Sequence, residues 1–70
     1  MKLIKIARSD ALDRFSRSYP NIVKYWTDFG RDSLSIQLKN QSIVEYKISA
    51  ILDAAKREAL TRNIQIEYIA

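Results

Sequence analysis

Hydrophobic and polar residues alternate in four short segments of the chain, and this period of two predicts four β-strands. In the second segment, Leu34, Ile36 and Leu38 alternate with small or polar residues, so one face of that strand is apolar. Asn40, which follows this segment, suits the left-handed position of a hairpin turn. The four predicted strands are Lys2–Ala7, Ser33–Lys39, Ile43–Ile48 and Asn63–Ile69.

Apolar residues recur at spacings of three and four in two other segments, and this spacing predicts two helices. The first helix starts with Ser9 or Asp10 as its cap and runs to about Tyr19. It ends there because the following proline disfavours a helical backbone conformation at Tyr19. The second covers residues 50–62, with Ser49 as its cap and Asn63 as a left-handed terminator. Oppositely charged residues four positions apart lie on the polar faces: Asp10–Arg14, Asp13–Arg17, Asp53–Arg57 and Glu58–Arg62.

The segment Asn21–Phe29 fits two interpretations. Its apolar residues have helical spacing, with Gly30 at the position of a C-terminal cap. Its composition of β-branched and aromatic residues favours a strand, which we predict. The element order is then β-α-β-β-β-α-β, a single small α+β domain over residues 1–70. We expect a mainly antiparallel sheet with the two helices packed on one face.

The charge of the chain is unevenly placed. There are 12 Lys and Arg residues against 8 Asp and Glu residues, a net charge of +4. Residues 1–31 hold seven of these cations and three of the acids, so the whole excess lies in the first half. A basic half attracts phosphates or an acidic protein surface. The alternative interpretation is a solubilising surface, since this net charge is ordinary for a small domain.

Several kinds of chemistry are excluded by the composition. The chain has no His and no Cys, which excludes Ser-His-Asp and Cys-His catalysis and the usual zinc sites. A single Gly excludes a glycine-rich phosphate loop. No apolar run approaches the roughly 20 residues that span a membrane. The absence of Cys and of a signal-peptide pattern favours a cytoplasmic protein without a membrane partner.

Two segments, Gly30–Asp32 and Ile43–Lys47, together resemble the motif of the PD-(D/E)XK nucleases. The predicted order of helix, three strands, helix and strand is also similar to the core of that family. The resemblance implies that Asp32 and Glu45 bind Mg²⁺ and that Lys47 assists the attacking water.

The chain departs from this motif in sequence and in expected geometry. It lacks the Pro that precedes the Asp in the family and the usual helical Glu. If the hairpin pairs Lys39 with Ser42, Glu45 faces Ile36. Asp32 then lies on the order of 13 Å away along the strand, which is too far for one shared metal ion.

The order of helix, three antiparallel strands and helix also resembles a double-stranded-RNA-binding domain. The resemblance implies lysines at the start of the last helix that bind phosphates. In this chain the last helix starts with Ser49–Asp53, which contains no Lys, and Lys56 and Arg57 come later. The glycine-rich loop of the family is also missing.

Aromatic and basic residues are interleaved between Tyr19 and Arg31, and this segment is the candidate binding surface. Tyr, Trp and Arg are enriched in protein-interface hot spots, and aromatic residues beside cations also stack on unpaired bases. The other interpretation places the aromatic residues, Phe15 among them, in the core. The predicted binding residues, for protein or nucleic acid, are Arg14, Arg17, Tyr19, Lys24, Tyr25, Trp26 and Arg31.

We therefore expect a small non-enzymatic binding or regulatory protein that acts through a protein–protein surface. A basic nucleic-acid-binding module is the alternative, and a minimal metal-dependent nuclease is the remote one. No catalytic residue, metal site or cofactor is predicted. Lys2–Ala7 and Asn63–Ile69 are candidate edge strands, and burial and chain entropy nearly cancel at this length. Both points favour a homodimer through an edge strand.

Overall fold

The computed structural model describes residues 1–69, and its elements follow the predicted order. The elements are β1 (Lys2–Ala7), α1 (Arg8–Arg17), β2 (Ile22–Asp28), a short 3-10 helix (Phe29–Arg31), β3 (Ser33–Leu38), β4 (Ile43–Lys47), α2 (Ile48–Leu60) and β5 (Ile64–Ile69). The α+β class is confirmed, and the ambiguous segment is a strand, as its composition favours. In the part of the chain that the structure describes, neither helix is long and apolar enough to cross a bilayer.

The strands form two separate sheets. β2, β3 and β4 make a three-stranded antiparallel sheet in that order. β1 and β5 make a two-stranded parallel pair, here called the terminal ribbon, in which Lys2 lies opposite Ile64 and Ala7 opposite Ile69. α1 packs against β1 and β2, and α2 packs against β4 and β5. The helices therefore connect the ribbon to the three-stranded sheet.

The core lies between the helices and the three-stranded sheet. Leu34 and Ile36 of β3 are completely buried, because β3 is the central strand and its apolar face lies under the helices. The buried apolar residues are Leu12, Leu34, Ile36, Ile48 and Leu52. The ribbon adds Tyr68 at the margin of this cluster, where the hydroxyl donates to the Leu52 carbonyl at 2.8 Å.

The predicted helix caps are wrong at both helices. α1 begins at Arg8, directly after β1, and has no side-chain cap. α2 begins at Ile48, and its first turn is capped by Asp32 instead of Ser49. One Asp32 carboxylate oxygen accepts from the Ser49 backbone N–H at 2.9 Å, and the other accepts from the Ser49 hydroxyl at 2.5 Å. The sheet register brings these residues together, since the start of β3 pairs with the end of β4.

The hairpin between β3 and β4 also differs from the prediction. Gln41 takes the left-handed position with a φ of 70°, and the Asn40 side chain accepts from the Ser42 N–H at 3.0 Å. This turn places Glu45 opposite Ser35, one residue from the predicted register. The predicted left-handed terminator Asn63 is confirmed, with a φ of 61°.

Three of the four predicted ion pairs form along the helices. Their N–O distances are 2.9 Å for Asp13–Arg17, 3.0 Å for Asp53–Arg57 and 3.2 Å for Glu58–Arg62. Within residues 1–69, Asp10 and Arg14 make no ion pair, and Arg14 lines a groove that is described below.

Ser16 is fully buried on α1, and within residues 1–69 its hydroxyl has no hydrogen-bond partner. An unpaired buried hydroxyl costs about 1–3 kcal/mol, and Ala is also the better helix former. We therefore expect Ser16→Ala to raise the free energy of unfolding by about 1 kcal/mol, measured by denaturant unfolding. The control is Ser18→Ala, because the Ser18 hydroxyl is exposed and donates to the Phe15 carbonyl at 2.8 Å. A less stable Ser16→Ala protein would contradict the prediction.

Candidate interaction surface

The outer face of the three-stranded sheet points away from the two helices. Residues opposite one another in neighbouring strands share a face, and Ile36 and its neighbours Tyr25 and Val44 define the inner one. The opposite face, here called the outer sheet face, has three rows of residues: Lys24–Gln37–Ile43, Trp26–Ser35–Glu45 and Asp28–Ser33–Lys47.

Trp26 is the large aromatic residue of the outer sheet face, and it is 42% exposed. The Lys24 ammonium lies 5.7 Å from the centre of the indole ring, within cation–π range. Ser35, the neighbour of Trp26 on the central strand, is small, so a shallow depression of about 350 Å³ lies beside the indole. Arg31 and Glu45 also line this depression. The depression is therefore mainly polar, and the exposed indole lies at its margin between charges of both signs. Trp and Arg are enriched in protein interfaces.

Five of the seven predicted binding residues lie in two groups along β2. Arg17, Lys24 and Tyr25 line one depression at this edge strand, together with Val23, and Trp26 and Arg31 line the next. Lys24 links the groups through its contact with the indole. The bulge at Val23 exposes that side chain and disturbs the edge, which weakens the edge as a template for another strand.

Tyr25 and Arg17 are already engaged with Asp13. The Tyr25 hydroxyl donates to the Asp13 carboxylate at 2.6 Å, and Arg17 Nε donates to the same carboxylate at 2.9 Å. Both bonds favour the charged carboxylate, so the pKa of Asp13 is lowered, chiefly by the hydrogen bond from Tyr25. The same hydrogen bond raises the pKa of Tyr25. These contacts fasten β2 to α1 and offset the charge of Arg17.

Tyr19 lies on the core side of the molecule. Its hydroxyl accepts from the Tyr46 hydroxyl at 3.0 Å, and this hydrogen bond raises the pKa of Tyr46. Its ring meets those of Phe15 and Tyr46 edge to face, with centroid distances of 6.4 and 6.0 Å. Tyr19 and Tyr25 therefore pack against the core, whereas Trp26 and Phe29 remain exposed.

The four predicted cations do not share one face. Arg14 lies at the groove between the helices, Arg17 and Lys24 lie at the edge of β2, and Arg31 lies in the 3-10 helix. Arg31 is also paired with Asp28, at 3.8 Å. A phosphate-binding stripe needs adjacent cations without such partners.

The two carboxylates of the nuclease-like motif have different surroundings. Asp32 caps α2, and the hydrogen bonds from Ser49 lower its pKa. Glu45 lies on the outer sheet face, in the row next to that of Ser33, the β3 residue that follows Asp32. Within residues 1–69, no three His, Cys, Asp or Glu side chains form a group that could hold a metal ion.

A groove between the helices and the terminal ribbon is a second surface, which the sequence did not predict. Its volume is about 450 Å³. The apolar walls include Ile6, Ile66 and Tyr68 of the ribbon, Phe15 of α1, and Ile51 and Ala55 of α2. Arg14 of α1 and Glu58 of α2 are its charged residues. The signal in the sequence is the small size of Ala54 and Ala55, which leaves room where a core-facing helix usually carries larger residues.

In comparisons with known proteins, no family model, no curated protein and no solved structure matches this chain.

Proposed function

We propose that this protein is a small non-enzymatic binding protein that recognises a protein partner through the outer sheet face around Trp26. The observation that carries the proposal is a half-exposed indole on a sheet face that no helix covers. Trp is the residue most enriched where interfaces derive their binding energy. We place this protein in the cytoplasm, as expected from its sequence.

The surroundings of Trp26 indicate the chemistry of the partner. Lys24 lies over the indole ring, and the depression beside the indole is lined by Arg31 and by the carboxylates of Asp28 and Glu45. A segment that presents an aromatic or apolar residue to the indole, between charged groups of both signs, complements this arrangement. The dispersed cations favour this proposal over nucleic-acid binding, since two of the four are paired with acids.

The test compares Trp26→Ala with Leu3→Ala. Leu3 is a matched control, because it is 52% exposed and lies on β1, outside the three-stranded sheet. We expect both the wild type and Leu3→Ala to bind the purified partner. For Trp26→Ala we expect a dissociation constant about 30-fold weaker, the effect of an interface hot spot. Far-UV circular dichroism of each variant verifies that the fold is retained.

The single Trp of the chain gives a direct probe of the site. Binding over the indole removes it from water, so its emission shifts to shorter wavelength and iodide quenches it less. A complex that leaves both properties unchanged would place the partner elsewhere and overturn the proposal. Binding to mixed-sequence DNA or RNA that weakens steeply between about 50 and 200 mM salt would instead support the nucleic-acid alternative.

A further inference from the structure

The surface of this protein is large for its mass. Its solvent-accessible area is 5179 Å², whereas a compact monomer of this mass exposes roughly 4,500 Å². The radius of gyration is 13.0 Å, against roughly 11 Å for a compact chain of this length. The excess area is therefore roughly 680 Å², close to the ~800 Å² that each partner buries in a standard interface.

The groove between the helices and the ribbon is where the chain is incompletely packed. β1 contributes no residue to the core cluster, and Ile6 and Ile66 on the inner face of the ribbon line the groove instead. Parallel strands are usually covered on both faces. Within residues 1–69, this face of the ribbon is therefore only partly covered.

The charges at the groove have a pattern that a second copy satisfies. Arg14 and Glu58 have opposite signs and lie on different helices. Within residues 1–69 Arg14 makes no ion pair, whereas Glu58 is paired with Arg62 at 3.2 Å. Both side chains of that pair are 70% exposed, and such a surface pair contributes little, so Glu58 can exchange Arg62 for another cation. A two-fold interface brings the same patch of both copies together. A patch with one cation and one anion is then complementary to itself, because each Arg14 meets the Glu58 of the other copy.

We propose that a second copy of this chain covers the groove, in a two-fold dimer with reciprocal Arg14–Glu58 contacts across the interface. In this dimer the apolar walls of the two grooves pack against each other. The outer sheet face remains free in such a dimer, because it lies on the opposite side of the three-stranded sheet from the helices. The dimer thus carries two copies of the Trp26 surface, and the two proposals stand or fall separately.

The test uses charge reversal and the association state in solution. The monomer mass is 8.2 kDa, and we expect the wild type to sediment with twice that mass at micromolar concentration. Arg14→Glu and Glu58→Arg should each weaken the dimer at least about tenfold at low salt, since either reversal places like charges together twice in a two-fold interface. Lys39→Glu, in the β3–β4 turn, has the same change in net charge as Arg14→Glu and is the control for that variant.

Mixing the two reversed variants is the decisive step. A heterodimer of Arg14→Glu with Glu58→Arg has opposite charges at both contacts, so equimolar mixing should restore the dimer that neither variant forms alone. A loss of folding cannot produce this recovery. A monomeric wild type, no recovery on mixing, or native mass spectrometry that finds a small apolar molecule in the groove would each overturn the proposal.

Discussion

Replacing Ile36 with alanine should remove about 3 kcal/mol from the free energy of unfolding. Ile36 is completely buried at the centre of β3, between Tyr25 and Val44, and it contacts the buried cluster of both helices. A chain of this length has a stability of about 3.5–10 kcal/mol. The substitution therefore removes between a third and nearly all of the free energy of unfolding. Urea unfolding followed by circular dichroism will measure the loss.

Ile43→Ala is the matched control for this experiment. The substitution is the same, but Ile43 lies on the outer sheet face of β4 and is 59% exposed. We expect a change within about 0.5 kcal/mol, as for most surface positions. Equal losses for the two variants would show that the core does not lie on the inner face of the sheet.

Replacing Asp32 with alanine should lower the melting temperature by roughly 4–8 °C, the effect of a lost helix cap in a domain of this size. The carboxylate satisfies the Ser49 backbone N–H in the first turn of α2, and it joins that turn to the start of β3. Asp53→Asn is the control, because its exposed pair with Arg57 contributes little. An Asp32→Ala protein as stable as this control would contradict the role of Asp32 as a cap.

The contribution of Asp32 also depends on pH, with a definite sign. Hydrogen bonds from the Ser49 hydroxyl and N–H favour the charged carboxylate, so its pKa in the folded protein is below the ordinary value of 3.8. Its stabilising effect is therefore complete above the unfolded pKa and is lost as the pH falls from about 4 through the lowered folded pKa. Asp32→Asn should lose less stability than the wild type over this window. The pKa of Asp13 is also lowered, so Asp13 contributes to the loss of stability in acid that remains in Asp32→Asn. Adding Asp13→Asn to that variant should therefore reduce the loss further.

Local patterns in the sequence were sufficient for the elements and for their buried faces. The alternation around Ile36 and the helical spacing around Leu12 identify residues that are almost completely buried. The pairing of distant segments was not predictable in the same way. Asp32 caps a helix that begins 16 residues later, and this contact depends on a sheet register that one turn residue, Gln41, shifts.

The candidate surface could be predicted only in part. Interleaved aromatic and basic residues pointed to β2, but the pattern could not show which aromatic residues face the helices. The bond from Tyr25 to Asp13 and the exposure of Trp26 follow from a strand whose register is set by a bulge. The groove results from the division of the strands into two sheets, which alternation within single segments does not reveal.

The pairing of the first strand with the last also has a consequence for biosynthesis. β1 leaves the ribosome early, but its partner β5 is completed only at Ile69. Until then the Ile-rich strand has no hydrogen-bonded neighbour, so the nascent chain resembles an open edge. The antiparallel sheet, whose strands are neighbours in sequence, can assemble during translation. We therefore expect a chain stalled before β5 to be the form most exposed to aggregation and to chaperones.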